Sequence, residues 1–289
     1  MLRRILSGRR TENPARRTGA AGFYSAPMKR GMVLAVSMFA LGPVAAAPLT
    51  SAQMSAADEV ALVTVPTPAE FFDAIDKISR PDWASFYRDP GPTSFPARPQ
   101  TAFNLGALVT DGYIAVEAQD GQQVKNTGKD IIALARALGV GENVLARGKS
   151  IADFADKNDW FALREELEAT TNEVRRAMLD QRDEALAALI TAGAWLRALQ
   201  VGGRAAELSG DPACAALLGQ PELVAYLHER IKENAPEKEP AGPVVGSVGQ
   251  SFDQVRAAMT VDQAAPPGLE QAKQINEVCA QIVAQMGSK

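Results

Sequence analysis

The feature that most constrains the fold of this chain is the spacing of its apolar residues, which recur at helical intervals from residue 67 onward. Such spacing puts apolar side chains on one face of a helix and is typical of amphipathic α-helices. No stretch of convincing length alternates apolar and polar residues as a strand would. Aromatic residues make up only 6% of the chain, whereas alanine is abundant, and this favours close-packed helices over sheets. The sequence therefore predicts an all-α fold, a multi-helix bundle or helical array.

Capping and breaking residues predict where these helices lie. Thr67 with Glu70 three positions later forms a capping box, so a helix should begin at Pro68. The longest apolar pattern begins after the cap Asp159, exceeds forty residues and ends at Gly202-Gly203. It predicts either one long helix or two helices with a break near 170–172 or 181–183, where polar residues interrupt the pattern. Further helices are expected at about 101–119, 122–138, 150–155 (with Ser150 as its cap), 212–218 and 221–234.

Composition divides the chain into successive segments. A leader and signal peptide occupy residues 1–52, and a lead-in covers 53–66. The main helical domain spans 67–235. Prolines, glycines and serines over 236–250 indicate a flexible linker. The C-terminal segment 251–289 should form a helix pair, about 251–259 and 268–285, that packs back on the main domain through this tether.

A targeting segment is indicated near the start of the chain. Met28 is followed by Lys29-Arg30, by an apolar stretch over residues 32–41, and by small residues that allow cleavage after Ala46 or Ala52. This order of basic, apolar and small residues resembles a Sec-type secretory signal. The apolar stretch is shorter than the roughly 20 residues that span a bilayer, so no membrane span is expected in the mature chain. The sequence thus favours a periplasmic or extracellular protein.

Residues 1–27 leave two alternatives open. In the first, translation starts at Met28, and residues 1–27 are an extension ahead of the true start. In the second, these Arg-rich, acid-poor residues are an organellar transit peptide.

The charge of the chain is unevenly spread. Residues 1–52 carry a net charge of +7, and because the whole chain carries −4, residues 53–289 carry −11. Because so acidic a body repels polyanions, we expect no nucleic-acid partner.

The chain has two cysteines, Cys214 and Cys279. In an oxidising compartment they are candidates for a disulfide that ties the C-terminal segment to the main body. The alternative is a pair of buried thiols that act as small apolar side chains.

Few residues suggest a catalytic or metal site. Gly148-Lys149-Ser150 matches the end of a phosphate-binding loop, but Asn143 stands where that loop needs a glycine. His228 is the single histidine and lies in an amphipathic helix, which excludes a metal site built from several histidines. The sequence therefore predicts no metal and no cofactor.

The helix over 101–119 is apolar on most of its circumference, so its polar residues need partners. Two polar pairs are spaced seven apart and share a face: Asn104 with Asp111, and Thr110 with Glu117. These four residues are the candidate ligand-binding site, because buried carboxylates often mark functional sites. The structural alternative is an internal salt bridge to one of the bases on neighbouring helices, namely Lys125, Lys129, Arg136, Arg175 or Arg182.

These observations favour an exported, non-catalytic helical protein that acts as a binding, scaffold or assembly module of the cell envelope, with a protein partner or a small ligand. The alternative is a small-ligand receptor or enzyme with a site around Asp111 and Glu117 between helices. A structural subunit of a larger complex would instead expose an apolar patch on the long helix.

Overall fold

The computed structural model describes residues 67–233, 242–260 and 265–288. The predicted signal peptide and lead-in lie outside the described residues. In chain order the helices are α1 (Pro68–Ser79), a 3₁₀ helix (Trp83–Phe86), α2 (Arg98–Glu117), α3 (Gly121–Ala137), α4 (Glu142–Asp156), α5 (Trp160–Asp180), α6 (Glu184–Ser209), α7 (Pro212–Ala216), α8 (Pro221–Glu233), α9 (Gly242–Met259) and α10 (Leu269–Gly287). These residues contain no strand, and the all-α prediction is confirmed.

Capping interactions fix two helix starts as the sequence predicts. The Thr67 hydroxyl accepts from the Glu70 amide, and the Glu70 carboxylate accepts from the Thr67 amide. Asp159 caps α5 by accepting from the amide of Ala162. Ser150 is not a cap, because it lies inside α4; the glycine at 148 instead brings that helix close to Ile132 of α3.

Helices α2 and α6 cross at the centre of the molecule with their backbones almost in contact. A Cβ added at Gly106 would lie 1.8 Å from the carbonyl oxygen of Ile190. Reciprocally, a Cβ at Gly193 would lie 2.0 Å from the carbonyl oxygen of Phe103. Since no side chain fits at either position, the two glycines set this close approach.

The long apolar pattern is two helices, and the break falls at 181–183. Arg182 adopts the left-handed region with φ of 61° between α5 and α6. The prediction that Gly202-Gly203 ends the pattern is wrong, because α6 continues to Ser209. Both glycines are buried, and a Cβ at Gly203 would lie 2.6 Å from the Ala272 carbonyl of α10. They serve close packing rather than helix termination.

By length and composition, α6 could cross a membrane, but 83% of its most apolar window is buried inside the protein. It is therefore the core helix against which α1, α2, α5 and α10 pack. The apolar patch expected of a structural subunit is not seen on the described part of the long helices. The large apolar side chains exposed there are Phe161, Leu208 and Leu269, each on a different helix.

The predicted linker over 236–250 is too long. Helix α9 begins at Gly242, so the second half of that segment is helical. Gly and Pro are tolerated in a first helical turn, and Val245, Val248 and Phe252 then supply a buried face. His228 of α8 stacks on Phe252 and lies 3.1 Å from an Asp253 oxygen, which ties α9 to the main body.

The expected disulfide is not formed. Cys214 of α7 and Cys279 of α10 are both free and buried, and they do not lie at disulfide distance. Burial raises the pKa of both thiols above the ordinary value. Each cysteine thus packs as a small apolar side chain, which is the alternative that the sequence left open.

Candidate functional site

Asp111 lies on α2, is 9% exposed and pairs with two arginines. Arg197 of α6 donates from Nε to Oδ1 over 2.8 Å. Arg88, in the segment before α2, donates from Nε to Oδ2 over 2.6 Å, and its Nη2 lies at the same distance from Oδ2. A buried carboxylate is costly unless it is paired and hydrogen-bonded, and this arrangement meets both conditions.

Arg197 is itself fully engaged although it is only 4% exposed. Its Nη2 donates to the Phe86 carbonyl over 2.6 Å, and its Nη1 donates to Gln200 Oε1 over 2.9 Å. The sequence predicted a basic partner for Asp111, but none of the five bases considered is the partner found. The available signal was the isolated charge of Arg197 within an otherwise apolar stretch of α6.

Asn104 lies on the same face of α2 as Asp111 and is also buried. Its Nδ2 donates to the carbonyl of Gln100 over 2.9 Å and to the carbonyl of Met286 over 2.7 Å. The side chain therefore anchors the end of α10 against α2. Its oxygen, Oδ1, accepts no hydrogen bond from any residue that the structure describes.

The Asn104 and Asp111 face of α2 borders a cavity of about 90 Å³. Residues 87–95, which we call the strap, cover one side of it, and α3 forms another. Exposed lining residues such as Asp89 and Asn126 show that the cavity opens to solvent. The remaining α2 and α3 lining residues are Leu108, Gln123, Thr127, Asp130 and Leu134.

Two α3 residues that sequence reasoning missed contribute oxygens to this cavity. Thr127 is 3% exposed, and its hydroxyl makes no hydrogen bond within the described part of the chain. The Asp130 carboxylate accepts no hydrogen bond and forms no ion pair there. Burial raises the pKa of Asp130, and the neighbouring Lys129 offsets this in part. Nothing in the sequence distinguishes Asp130 from the other acids on helix surfaces.

The second polar pair on α2 does not reach the cavity. The Thr110 hydroxyl donates to the Ala194 carbonyl over 2.9 Å, which links α2 to α6 next to their crossing. Glu117 pairs with Arg164 of α5, and Arg164 also donates to Asp73 of α1 over 2.7 Å. Burial raises the pKa of Glu117 in spite of this partner. The structure thus separates the four candidates into a cavity pair, Asn104 and Asp111, and a pair bonded between helices.

No group of three or more His, Cys, Asp or Glu side chains that could hold a metal ion occurs among the described residues. No family model, curated protein or solved structure matches the chain.

Proposed function

We propose that this chain is an exported, non-catalytic helical binding protein of the cell envelope, and that it binds a small ligand in the cavity beneath the strap. The single observation that carries this proposal is a set of oxygens on the wall of one cavity that have no partner among the described residues. Asn104 Oδ1, the Thr127 hydroxyl and the Asp130 carboxylate line one cavity and make no hydrogen bond to the described residues. Because these oxygens border a cavity that opens to solvent, they are free to accept hydrogen bonds from a bound molecule or from water.

The remaining charges near the cavity support binding rather than catalysis. Asp111 and Arg197 are saturated by internal bonds, so neither is free to act as an acid, base or nucleophile without breaking the packing of α2 on α6. Among the described residues, the large apolar side chains that are exposed lie on three different helices. This distribution favours a small ligand over a broad protein partner.

A thermal-shift screen against a library of small polar metabolites tests the binding proposal. The matched variants are Leu108→Trp, which fills the cavity from α2, and Leu145→Trp, which adds the same bulk to a half-buried leucine on α4. We expect compounds that raise the melting temperature of the wild type and of Leu145→Trp but not of Leu108→Trp. Equal shifts in all three proteins, or no shift in any, would refute cavity binding.

Two further measurements test the rest of the proposal. Mass spectrometry of the ligand after prolonged incubation should return it unchanged; a converted product would make the protein an enzyme. N-terminal sequencing after cell fractionation should find a start near Ala47 or Gln53 in the periplasm or medium. An intact Met1 in the cytosol would contradict export.

A further inference from the structure

We propose that the ligand carries an ammonium group and that Asp130 is its anchor. This inference rests on the proposed binding function and adds the chemical class of the ligand. Three groups of the lining that make no bond to a described residue offer oxygen: a carboxylate at Asp130, an amide oxygen at Asn104 and a hydroxyl at Thr127. An ammonium group is three donors and no acceptor, so it matches these three groups.

The charge of the lining favours the same class. Asp89, Asp111 and Asp130 face a single base, Arg88, among the residues that line the cavity. Arg88 and Arg197 both pair with Asp111, whereas the partly buried Asp130 forms no ion pair with a described residue. Partial desolvation of that carboxylate costs free energy, and a cationic ligand would offset this cost by pairing with it.

The cavity is large enough for a small ligand. Its volume of about 90 Å³ exceeds the roughly 10–15 Å³ needed to hold one water. Simple amines and the smallest amino acids are the first candidates for it. Larger amines would have to extend past the strap toward solvent, where Asn126 and Asp89 form the opening.

Arg88 distinguishes two classes of ligand that carry an ammonium group, namely simple amines and zwitterionic amino acids. Its Nε and Nη2 both contact one oxygen of Asp111, and its Nη1 has no bond to a described residue. A carboxylate on the ligand could bind that free nitrogen. A zwitterionic amino acid would then bind more tightly than a simple amine of the same size.

Isothermal titration calorimetry with methylammonium, ethanolamine, glycine and acetate tests the proposal. Wild type is compared with Asp130→Asn and with Asp153→Asn, which removes an exposed carboxylate from α4 away from the cavity. We expect at least one ammonium probe to bind wild type and Asp153→Asn, with affinity at least tenfold weaker for Asp130→Asn, and no binding of acetate. If glycine binds more tightly than methylammonium, the ligand belongs to the zwitterions. If the two probes bind with equal affinity, it belongs to the simple amines.

Three outcomes would overturn the inference. These are equal affinity of Asp130→Asn and wild type for the ammonium probes, binding of acetate in preference to them, or no binding of any probe to folded wild type, with folding checked by circular dichroism. The metabolite screen with Leu108→Trp separates this failure from that of the binding function. If library compounds without an amino group give cavity-dependent shifts, binding stands and only the ammonium class is wrong.

Discussion

At the scale of single residues, the two carboxylates Asp111 and Asp130 differ in their partners. Asp111 accepts hydrogen bonds from Arg88 and Arg197. Asp130 is partly buried with no such donors among the described residues, so its ionised form is disfavoured. The two carboxylates lie on neighbouring helices and border the same cavity.

Replacing Arg197 with methionine should destabilise the protein strongly. The substitution leaves Asp111 with one counter-charge and leaves the Phe86 carbonyl and Gln200 without their donor. Loss of one partner from a buried ion pair costs about 3–5 kcal/mol of unfolding free energy. Urea unfolding measures this loss.

Arg204→Met is the matched control for that experiment, because Arg204 is on the same helix but pairs with Glu207 at the surface. An exposed pair of this kind contributes at most about 1 kcal/mol. Equal losses in the two variants would mean that the Asp111 network does not stabilise the core.

Asp130→Asn should have the opposite effect, and this effect should depend on pH. Because burial raises the pKa of Asp130 in the folded state, folding is opposed when the group ionises, and stability falls as pH rises through the carboxyl range. At pH 7 we therefore expect a higher melting temperature for Asp130→Asn than for wild type. Below about pH 3 both states of the wild type are protonated, given an ordinary Asp pKa of about 3.9, and the difference should vanish. A lower melting temperature at pH 7 would show that the carboxylate has a structural partner.

At the scale of helices, the crossing of α2 and α6 positions the cavity face. The glycines at the crossing allow the two backbones to approach, and the Thr110 bond to Ala194 and the Asp111 bond to Arg197 follow along the same interface. The orientation of Asn104 and Asp111 toward the cavity thus depends on two residues that have no side chain.

Gly193→Ala should be among the most damaging small substitutions in the chain. Its methyl group would lie 2.0 Å from a backbone oxygen, which cannot move without shifting α2. Overpacking usually costs about 1–3 kcal/mol, and a contact with backbone should reach the upper end of that range or prevent folding.

Gly246→Ala on α9 provides the comparison, since nothing lies within 4 Å of a Cβ there. Alanine at such an exposed helical position should raise stability by roughly 0.5–1 kcal/mol. Thermal unfolding of both variants checks the pair, and a mild effect at Gly193 would contradict the close crossing.

The helices themselves could be predicted from local signals, whereas the contacts that build the site could not. The Thr67 capping box and the Asp159 cap depend on residues three apart, so the sequence reveals them. The partner of Asp111 is 86 positions away, and no spacing rule selects Arg197 from the other bases. The prediction that Gly202-Gly203 ends a helix was wrong for a related reason. Glycine often ends a helix, but here a second helix covers the two glycines, and they permit its close packing.

At the scale of the whole molecule, the C-terminal helices complete the fold without a covalent tie. Helix α10 packs on α6, its end bonds to Asn104 and Gln100 of α2, and α9 contacts His228 of α8. The buried, separated cysteines form no disulfide.

Both thiols should therefore be free in the protein purified without reductant. Alkylation in denaturant should add two labels by mass spectrometry, and alkylation of the native protein should add almost none, because burial shields the thiols and raises their pKa. An absence of labels in denaturant would reveal a disulfide and require a different arrangement of α7 and α10.

The central claim is that the functional site of this molecule is the cavity between the strap, α2 and α3. An NMR titration of the protein with glycine or methylammonium tests it most directly, because amide shifts report where the ligand binds. We predict that the perturbed resonances belong to residues 87–95, to the Asn104 and Asp111 face of α2, and to residues 123–134. Perturbations centred instead on the open groove between α9 and α10, around Gln254 and Gln281, or spread evenly over the protein, would contradict the account.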